Sequence, residues 1–156
     1  MSNGIRLTLL GAEHAEIAAA IHATAFAEPW PAEAFSKLLS EPLRVGALAL
    51  ADYPCGLILL QMTPDEAEVL TLAVAPPYRR LGAGRRLVEW AVNVVERAKL
   101  SRLVLEVNEH NLAARGLYDQ LGFVEVGQRS GYYLKAQGVE TALILARSVV
   151  RQEPTR

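Results

Sequence analysis

Runs and spacings of apolar residues divide the chain into short elements. Ile5 to Leu10 places apolar residues at every second position, which is typical of a strand with one buried face. Apolar residues three or four positions apart predict helices at Glu13 to Phe26, Pro31 to about Leu39, beyond Gly84, and Leu112 to Leu121. Further apolar runs predict strands at Arg44 to Ala51, Cys55 to Met62, Ala67 to Val74, Arg102 to Val107, Phe123 to Gln128 and Glu140 to Arg147.

The order of these elements predicts an α/β fold. A strand, a helix and a strand follow one another from Val69 to Val107, and such a crossover makes the two strands parallel neighbours. The other strands are joined by short turns and should pair antiparallel. We therefore expect a mixed, mostly antiparallel sheet of about seven strands, with a central parallel pair and helices on both faces. Residues 1–150 form one domain in this interpretation, residues 151–156 form a polar tail, and Arg129 to Tyr133 form a loop.

Two helices carry predictions about which side chains share a face. On the first helix, the spacing predicts a shared side for Ile17, Ala20, Ile21 and Thr24. On the last helix, the core positions are expected to be Ala113, Leu117 and Leu121. Tyr118 lies one step from those positions, so it should lie at the boundary of the core, and Gly122 should end the helix in the left-handed conformation.

A glycine-rich turn separates the strand that ends at Val74 from the helix that follows it. Proline stops the strand at Pro76 and Pro77, because it cannot donate to a ladder. The helix start, where the backbone dipole already presents positive charge, is crowded by Arg79, Arg80, Arg85 and Arg86. An anion would relieve that crowding, and glycine lets backbone N–H groups approach it closely, so the segment predicts a polyphosphate site. The segment matches neither the Walker loop nor the dinucleotide fingerprint.

The spacing Arg79-x-x-Gly82-x-Gly84 resembles the signature with which GNAT acetyltransferases bind the pyrophosphate of coenzyme A. The alternative is an ordinary solvated helix start with spare arginines. The resemblance implies the GNAT fold, acetyl-CoA as donor with coenzyme A as product, and a cofactor site made of Arg79, Arg80, Leu81, Gly82, Ala83, Gly84 and Arg85. It also implies that the pantetheine and the thioester carbonyl are held by backbone groups of Leu72, Ala73 and Val74, the latter an oxyanion-hole role.

A second stretch, from Leu105 to Tyr118, resembles the segment L-E-V-x-x-x-N-x-x-A-x-x-L-Y of the RimI branch of that family. Members of the branch acetylate the N-terminal α-amine of a ribosomal protein. Further matches to the branch are Leu121-Gly122-Phe123, Pro29-Trp30, and Arg129 with Tyr132-Tyr133. Gly116 departs from the alanine expected in the branch, and it either admits a close neighbour or only weakens the helix.

Glu106 stands among apolar residues near the end of a parallel strand, where open α/β sheets place their ligands. A carboxylate there is costly unless it has a partner or a task. The resemblance makes Glu106 the general base for the acceptor amine, and it makes Tyr118 the acid that protonates the leaving thiolate. A solvated strand-end glutamate and a boundary aromatic are the alternatives. Asn111 is a good helix N-cap, and the resemblance adds a hydrogen bond from it to the cofactor.

The acceptor is expected to meet Trp30, Glu109, Tyr132 and Tyr133. Glu66, Glu68 and Glu109 either receive a cationic substrate or form a solvated rim, and the rim is the interpretation favoured by the sequence. The two tyrosines either clamp a peptide backbone or form an exposed turn. The histidines show no metal-ligand spacing, and we expect no metal.

Composition limits the remaining classes of function. The net charge of −1 gives no overall field that would favour nucleic acid or an anionic membrane, and no window reaches the ~20 apolar residues of a membrane span. The single cysteine, Cys55, and the lack of a recognisable signal peptide favour the cytoplasm. We therefore expect an acetyl-CoA-dependent N-acetyltransferase, a monomer or weak homodimer, whose partner is a protein or peptide N-terminus, such as that of a ribosomal protein. The alternatives are a family member that acetylates a small amine or a lysine side chain, and a non-catalytic acyl-CoA sensor.

Overall fold

The computed structural model describes residues 4–135 and 138–149, and for 131–135 and 138–140 it describes the backbone alone. The helices are α1 (Ala15–Ala25), α2 (Ala32–Leu39), α3 (Ala83–Arg97) and α4 (Leu112–Gln120), and short 3-10 turns lie at Ala12–His14 and Pro76–Tyr78. The strands are β1 (Arg6–Leu9), β2 (Arg44–Leu50), β3 (Pro54–Met62), β4 (Glu66–Val74), β5 (Arg102–Asn108), β6 (Val124–Lys135) and β7 (Gly138–Ser148).

The strands of the described residues form one mixed sheet in the order β1-β2-β3-β4-β5-β7-β6. β4 and β5 run parallel, with Glu66 opposite Arg102 and Glu68 opposite Val104. β1 with β2, β2 with β3, β5 with β7, and β6 with β7 are antiparallel pairs. The predicted mixed sheet of about seven strands with a parallel pair is therefore confirmed.

The chain divides into two compact units, and β4 and α3 each contribute to both. The first unit contains β1, β2, β3, α1 and α2, together with β4 from Val69 onward and α3 as far as Ala91. The second unit contains β4 as far as Glu68, α3 from Val92 onward, and β5, α4, β6 and β7.

In the first unit, α1 and α2 supply half of one hydrophobic cluster, which consists of Leu10, Ala15, Ala18, Ile21, Phe35, Leu48, Leu57 and Ala73. The side of α1 that Ile17, Ala20, Ile21 and Thr24 were predicted to share is not its buried side, because only Ile21 of the four is buried. Ile17 is 37% exposed, whereas His22 is only 2% exposed and takes a core position. The imidazole tolerates burial because both of its nitrogens have partners, at Thr71 and at the backbone of Trp30. A sequence pattern counts a histidine as polar and therefore misses it.

In the second unit, the predicted core side of the last helix is wrong in part, although Leu121 is buried as predicted. Tyr118 is buried, at 7% exposure, and Ala113 is exposed. The ring centroid of Tyr118 lies 5.5 Å from that of Phe123, and this aromatic pair favours burial of the tyrosine. Gly122 has φ +87°, so the predicted left-handed end of the helix is confirmed.

The predicted loop from Arg129 to Tyr133 is wrong, because these residues lie inside β6. Arg129 pairs with Ala142 and Tyr133 pairs with Glu140, and the register shifts between the two pairs. β6 is the last strand in the sheet order, and polar residues and glycine are tolerated in edge strands. The polar residues and the glycine in this segment are the reason that the sequence predicted a loop and not a strand.

The burial of His22 predicts a pH dependence of stability. Burial lowers the pKa of His22 from 6.5 to about 4. The unfolded chain therefore takes up a proton at this residue first, and the free energy of unfolding should fall as the pH drops from ~6.5 toward ~4, by on the order of 3 kcal/mol. Urea titrations across this range measure it. His22→Phe should lack that component of the slope and His14→Phe should keep it; an identical slope in all three proteins would contradict the prediction.

Candidate active site

The segment that runs from the end of β4 into the first turn of α3, residues 75–85, is here called the cradle. Two of its residues have left-handed backbone conformations, Arg80 with φ +71° and Gly82 with φ +88°. Such residues turn backbone N–H groups toward a common concavity that suits an anion. A Cβ built on Gly82 would meet no atom within 4 Å, so the space beside the glycine is open. This local shape fits the predicted pyrophosphate.

The arginines of the cradle region have different tasks. Arg79 donates from Nε to the carbonyl oxygen of Val74 at 3.0 Å, which ties the turn to the end of β4. Arg86, just inside α3, donates from Nη1 to the carbonyl oxygen of Ile5. Arg80 and Arg85 are exposed. Positive charge therefore remains around the start of α3, while Arg86 serves mainly to connect α3 to the chain before β1.

The backbone of Leu72, Ala73 and Val74 leads directly into the cradle. Ala73 is 2% exposed, and its two neighbours are half-buried. Just beyond them, the N–H of Ala75 donates to the carbonyl oxygen of Cys55 at 2.8 Å. The strand end is thus fixed to β3, and its contact with a thioester stays a prediction.

In the second unit, charged side chains from three strands form a set called here the charged stripe: Glu66, Glu68, Arg102, Glu106 and Arg129. Because Glu68 is in register with Val104 and side chains alternate along a strand, Glu68 and Glu106 lie on the same face of the sheet. Arg102 Nε lies 2.9 Å from Glu66 Oε1, and Arg129 Nε lies 3.3 Å from Glu106 Oε1. The register of the strands therefore places carboxylates of neighbouring strands beside one another.

Glu106 has an oxygen atom in an unusual state. Its Oε1 is buried and accepts no hydrogen bond from the part of the chain that the structure describes. The 3.3 Å approach of Arg129 supplies charge attraction without a hydrogen bond of good alignment. A buried acceptor without a donor is rare in native proteins and costs free energy. This oxygen is therefore open to a donor that the described chain does not supply.

Glu68 is the functional candidate to which the sequence gave too little weight. It is partly buried, and within the described residues it has neither an ion pair nor a hydrogen bond. Burial raises the pKa of Glu68, the negative charges of Glu106 and Glu66 raise it further, and Arg129 opposes them. Glu68 is thus less solvated than a rim residue would be, and a role for it in receiving a cationic substrate stays a prediction. The alternation Glu66-Ala67-Glu68 on a strand parallel to that of Glu106 is the signal that would have found it.

Tyr118 and Asn111 lie on α4 and at its start. Burial raises the pKa of Tyr118 to about 12, so its hydroxyl keeps its proton throughout the neutral range and remains a donor. Asn111 accepts from the N–H of Ala114 through Oδ1 at 3.2 Å, so its role as N-cap is confirmed. A contact of either residue with the cofactor stays a prediction.

The structure describes the side chains of only two of the four residues expected to meet the acceptor. Trp30, in the first unit, lines an open groove of about 420 Å³ together with Ala34, Lys37, Leu38, Glu41 and Arg44. In the second unit, Oε1 of Glu109 lies 3.5 Å from Nε2 of His110. Tyr132 and Tyr133 lie on β6, but their side chains are outside the described residues.

The described residues contain neither a cluster of metal-ligating side chains nor a helix long and apolar enough to cross a membrane. No group of three or more His, Cys, Asp or Glu residues there is arranged to hold a metal ion. Every helix in that part of the chain is too short or too polar to cross a bilayer.

The chain is similar to known proteins along most of its length. A family model described as "Acetyltransferase (GNAT) family" matches residues 15–123. The "[Ribosomal protein bS18]-alanine N-acetyltransferase" of Escherichia coli K12 is 34% identical over 141 residues, which cover 89% of this chain and 95% of that protein. The "N-alpha-acetyltransferase RimI" of Mycobacterium tuberculosis is 39% identical over 112 residues, which cover 68% of each. The crystal structure of the ribosomal-protein-S18-alanine N-acetyltransferase from Escherichia coli matches with a TM-score of 0.88 at 29% identity, covering 97% of this chain and 98% of that one.

The cradle geometry generates a paired prediction on two glycines. Gly82→Val places a branched side chain on a left-handed residue and in the open space beside it, so the dissociation constant for coenzyme A measured by calorimetry should rise at least about tenfold. Gly116→Ala is the control, because a Cβ at Gly116 meets no atom within 4 Å and alanine favours the helix. It should keep the affinity and stabilise the fold by up to ~1 kcal/mol. Unchanged affinity in Gly82→Val would remove the cradle from the cofactor site.

Proposed function

The chain belongs to the GNAT acetyltransferase family and is an N-acetyltransferase, and we propose that its acceptor is the N-terminal α-amine of a protein. Two relatives support this choice, because one is named as an alanine N-acetyltransferase of ribosomal protein bS18 and another as an N-alpha-acetyltransferase. A ribosomal protein is accordingly the class of acceptor to test first.

The observation that carries the proposal is the charge balance of the stripe. It holds three carboxylates and two guanidinium groups, and Glu68 is the carboxylate without an ion pair among the described residues. An α-ammonium would supply the missing positive charge and a donor for the buried oxygen of Glu106. An α-amine titrates at ~7.7–8.0 and a lysine at ~10.4, so the α-amine loses its proton more easily to a carboxylate.

Glu106 acts as the general base in this mechanism. The ammonium must lose a proton before its nitrogen has a lone pair, and Glu106, directly or through water, takes that proton. The free amine would then attack the thioester carbon, forming the C–N bond as the C–S bond breaks; the nitrogen loses its second proton and the sulfur gains one, so the products are the amide and coenzyme A. Arg129, whose Nε lies 3.3 Å from Oε1 of Glu106, supplies positive charge beside the base, while Glu68 would balance the charge of the bound ammonium.

Acetyl-CoA supplies the activated acyl group, and the chain supplies its binding groups. The cradle residues Arg79 to Arg85 would hold the pyrophosphate, and N–H groups of Leu72 to Val74 would donate to the thioester carbonyl. Asn111 would add a hydrogen bond to the pantetheine. The hydroxyl of Tyr118 would donate to the leaving sulfur; since its pKa is about 12 and a thiol titrates at ~8.5, full proton transfer is uphill and occurs late, as the C–S bond breaks.

Cytoplasmic location also belongs to the proposal. It rests on the single, buried Cys55, which forms no disulfide within the described chain, and on the reducing conditions of the compartment where ribosomal proteins are made. Fractionation of cells that express the tagged protein tests it.

A panel of acceptor peptides tests the proposed substrate class. Peptides that begin with Ala, Ser or Met, each with one internal lysine, are incubated with acetyl-CoA, and coenzyme A release is followed while mass spectrometry locates the acetyl group. We expect acetylation at the α-amine, fastest on an alanine start. Blocking the α-amine should abolish turnover. Acetylation of the lysine, or turnover with small amines alone, would contradict the proposal.

The division of labour between base and acid gives a further prediction. Glu106→Gln should lower kcat roughly 10²–10⁴-fold at neutral pH, and the loss should shrink as the pH rises above the pKa of the amine, because solvent then supplies free amine. Tyr118→Phe should also lower kcat, with acetyl-CoA affinity kept within a few fold.

A change of leaving group separates the two defects. An acyl donor whose thiol is more acidic departs without assistance, so it should rescue Tyr118→Phe and leave Glu106→Gln slow. Equal rescue of both variants, or a loss in Glu106→Gln that is the same at every pH, would defeat the assigned roles.

A further inference from the structure

One buried imidazole connects three segments of the first unit. His22 lies on α1, and its Nδ1 accepts a hydrogen bond from the backbone N–H of Trp30 at 2.9 Å. Its Nε2 lies 2.9 Å from Oγ1 of Thr71, on β4. The side chain therefore touches the segment between α1 and α2 through one nitrogen and β4 through the other.

These contacts determine the tautomer. A nitrogen that accepts an N–H has no proton of its own, so a neutral imidazole must carry its proton on Nε2 and donate it to Thr71. Burial keeps the ring neutral, since it lowers the pKa of His22 to about 4. His22 is thus a fixed donor toward β4 and a fixed acceptor toward Trp30.

Aromatic rings hold the imidazole in place. Phe26 and Trp30 stack on it with ring centroids at 4.3 and 4.9 Å, and Phe35 meets it edge-on at 5.4 Å. Simple filling of the core would need only an apolar ring at this position. A polar ring with two directed bonds, buried to 2% exposure, indicates that direction matters as well as volume.

The two partners of His22 lie where a small displacement would affect the reaction. Trp30 lines the groove of the first unit, and Thr71 immediately precedes the backbone of Leu72 to Val74. We propose that His22 is a positioning residue of this acetyltransferase, which through Nδ1 fixes Trp30 for the acceptor and through Nε2 fixes β4 for the thioester. The assignment rests on the proposed roles of Trp30 and of Leu72 to Val74.

Two amide substitutions separate the two bonds. The Oδ1 of His22→Asn takes the place of Nδ1 and keeps the Trp30 bond, while its short side chain does not reach Thr71. The Nε2 of His22→Gln takes the place of the imidazole Nε2 and keeps the Thr71 bond without the other. We expect His22→Asn to lower kcat and weaken acetyl-CoA binding about tenfold with little change in the acceptor KM. We expect His22→Gln to raise the acceptor KM about tenfold and keep kcat.

Thr71→Val provides an independent check, because it removes the oxygen that accepts from Nε2. It should reproduce the kcat defect of His22→Asn. The double variant His22→Asn/Thr71→Val should have a kcat no lower than that of either single variant. His14→Asn and Thr24→Val are matched controls. His14 also accepts a backbone N–H, from Gly11 at 2.9 Å, and Thr24 also hydrogen-bonds, to the carbonyl oxygen of Ile21. Both controls should keep wild-type kinetics.

NMR of the imidazole nitrogens completes the test without using the reaction. The wild-type spectrum should show His22 protonated at Nε2 alone from ~pH 5 to ~pH 8. The opposite tautomer, wild-type kcat in Thr71→Val, or the same kinetic change in both amide variants would overturn the proposal. If the wild-type enzyme acetylates no α-amine, the proposed acceptor fails, whereas acetyl-CoA affinity lost in His22→Asn and Thr71→Val but not in His22→Gln still supports the β4 bond.

Discussion

The parallel register between β4 and β5 is the constraint on which the chemistry of the second unit depends. It sets Glu66 opposite Arg102 and Glu68 opposite Val104, and strand alternation then brings Glu68 and Glu106 to the same face. A shift of one residue would turn the carboxylates of one strand to the other face and separate them. Hydrophobic burial of Leu103 and Leu105 on β5 prevents that shift, so the apolar core indirectly determines where the charges stand.

Both units bury polar groups, and they do so in opposite ways. In the first unit His22 has a partner on each nitrogen, so its burial costs little and gives direction to its neighbours. In the second unit Glu106 keeps an oxygen without a donor and Glu68 lacks an ion pair among the described residues, so the cost of burial is not offset within the described chain. A buried group whose hydrogen bonds are all made suits a structural role, whereas buried groups without partners suit a role in a reaction.

Much of the fold could be predicted from the sequence because the strands and helices are strongly patterned. The crossover between Val69 and Val107 led to the parallel pair, and the glycine spacing led to the GNAT family, which the family match confirms. The predictions were wrong where contacts between residues distant in the sequence determine the structure. His22 and Tyr118 are buried through partners that a local pattern does not contain, and the part of β6 near Arg129 is held by pairing with β7. Glu68 was undervalued because its environment depends on Glu106, nearly 40 residues away in the sequence.

The edge position of β6 has a consequence for the behaviour of the chain in a crowded cell. A terminal strand presents unpaired backbone groups to which another polypeptide can add a strand, and exposed valines such as Val124 and Val126 make that addition more favourable. β6 counters it with exposed charges at Glu125 and Arg129 and with two irregularities of register, which distort the template. Charge and irregularity along β6 therefore limit aggregation, and engineering that straightens this strand would lower the solubility of the protein.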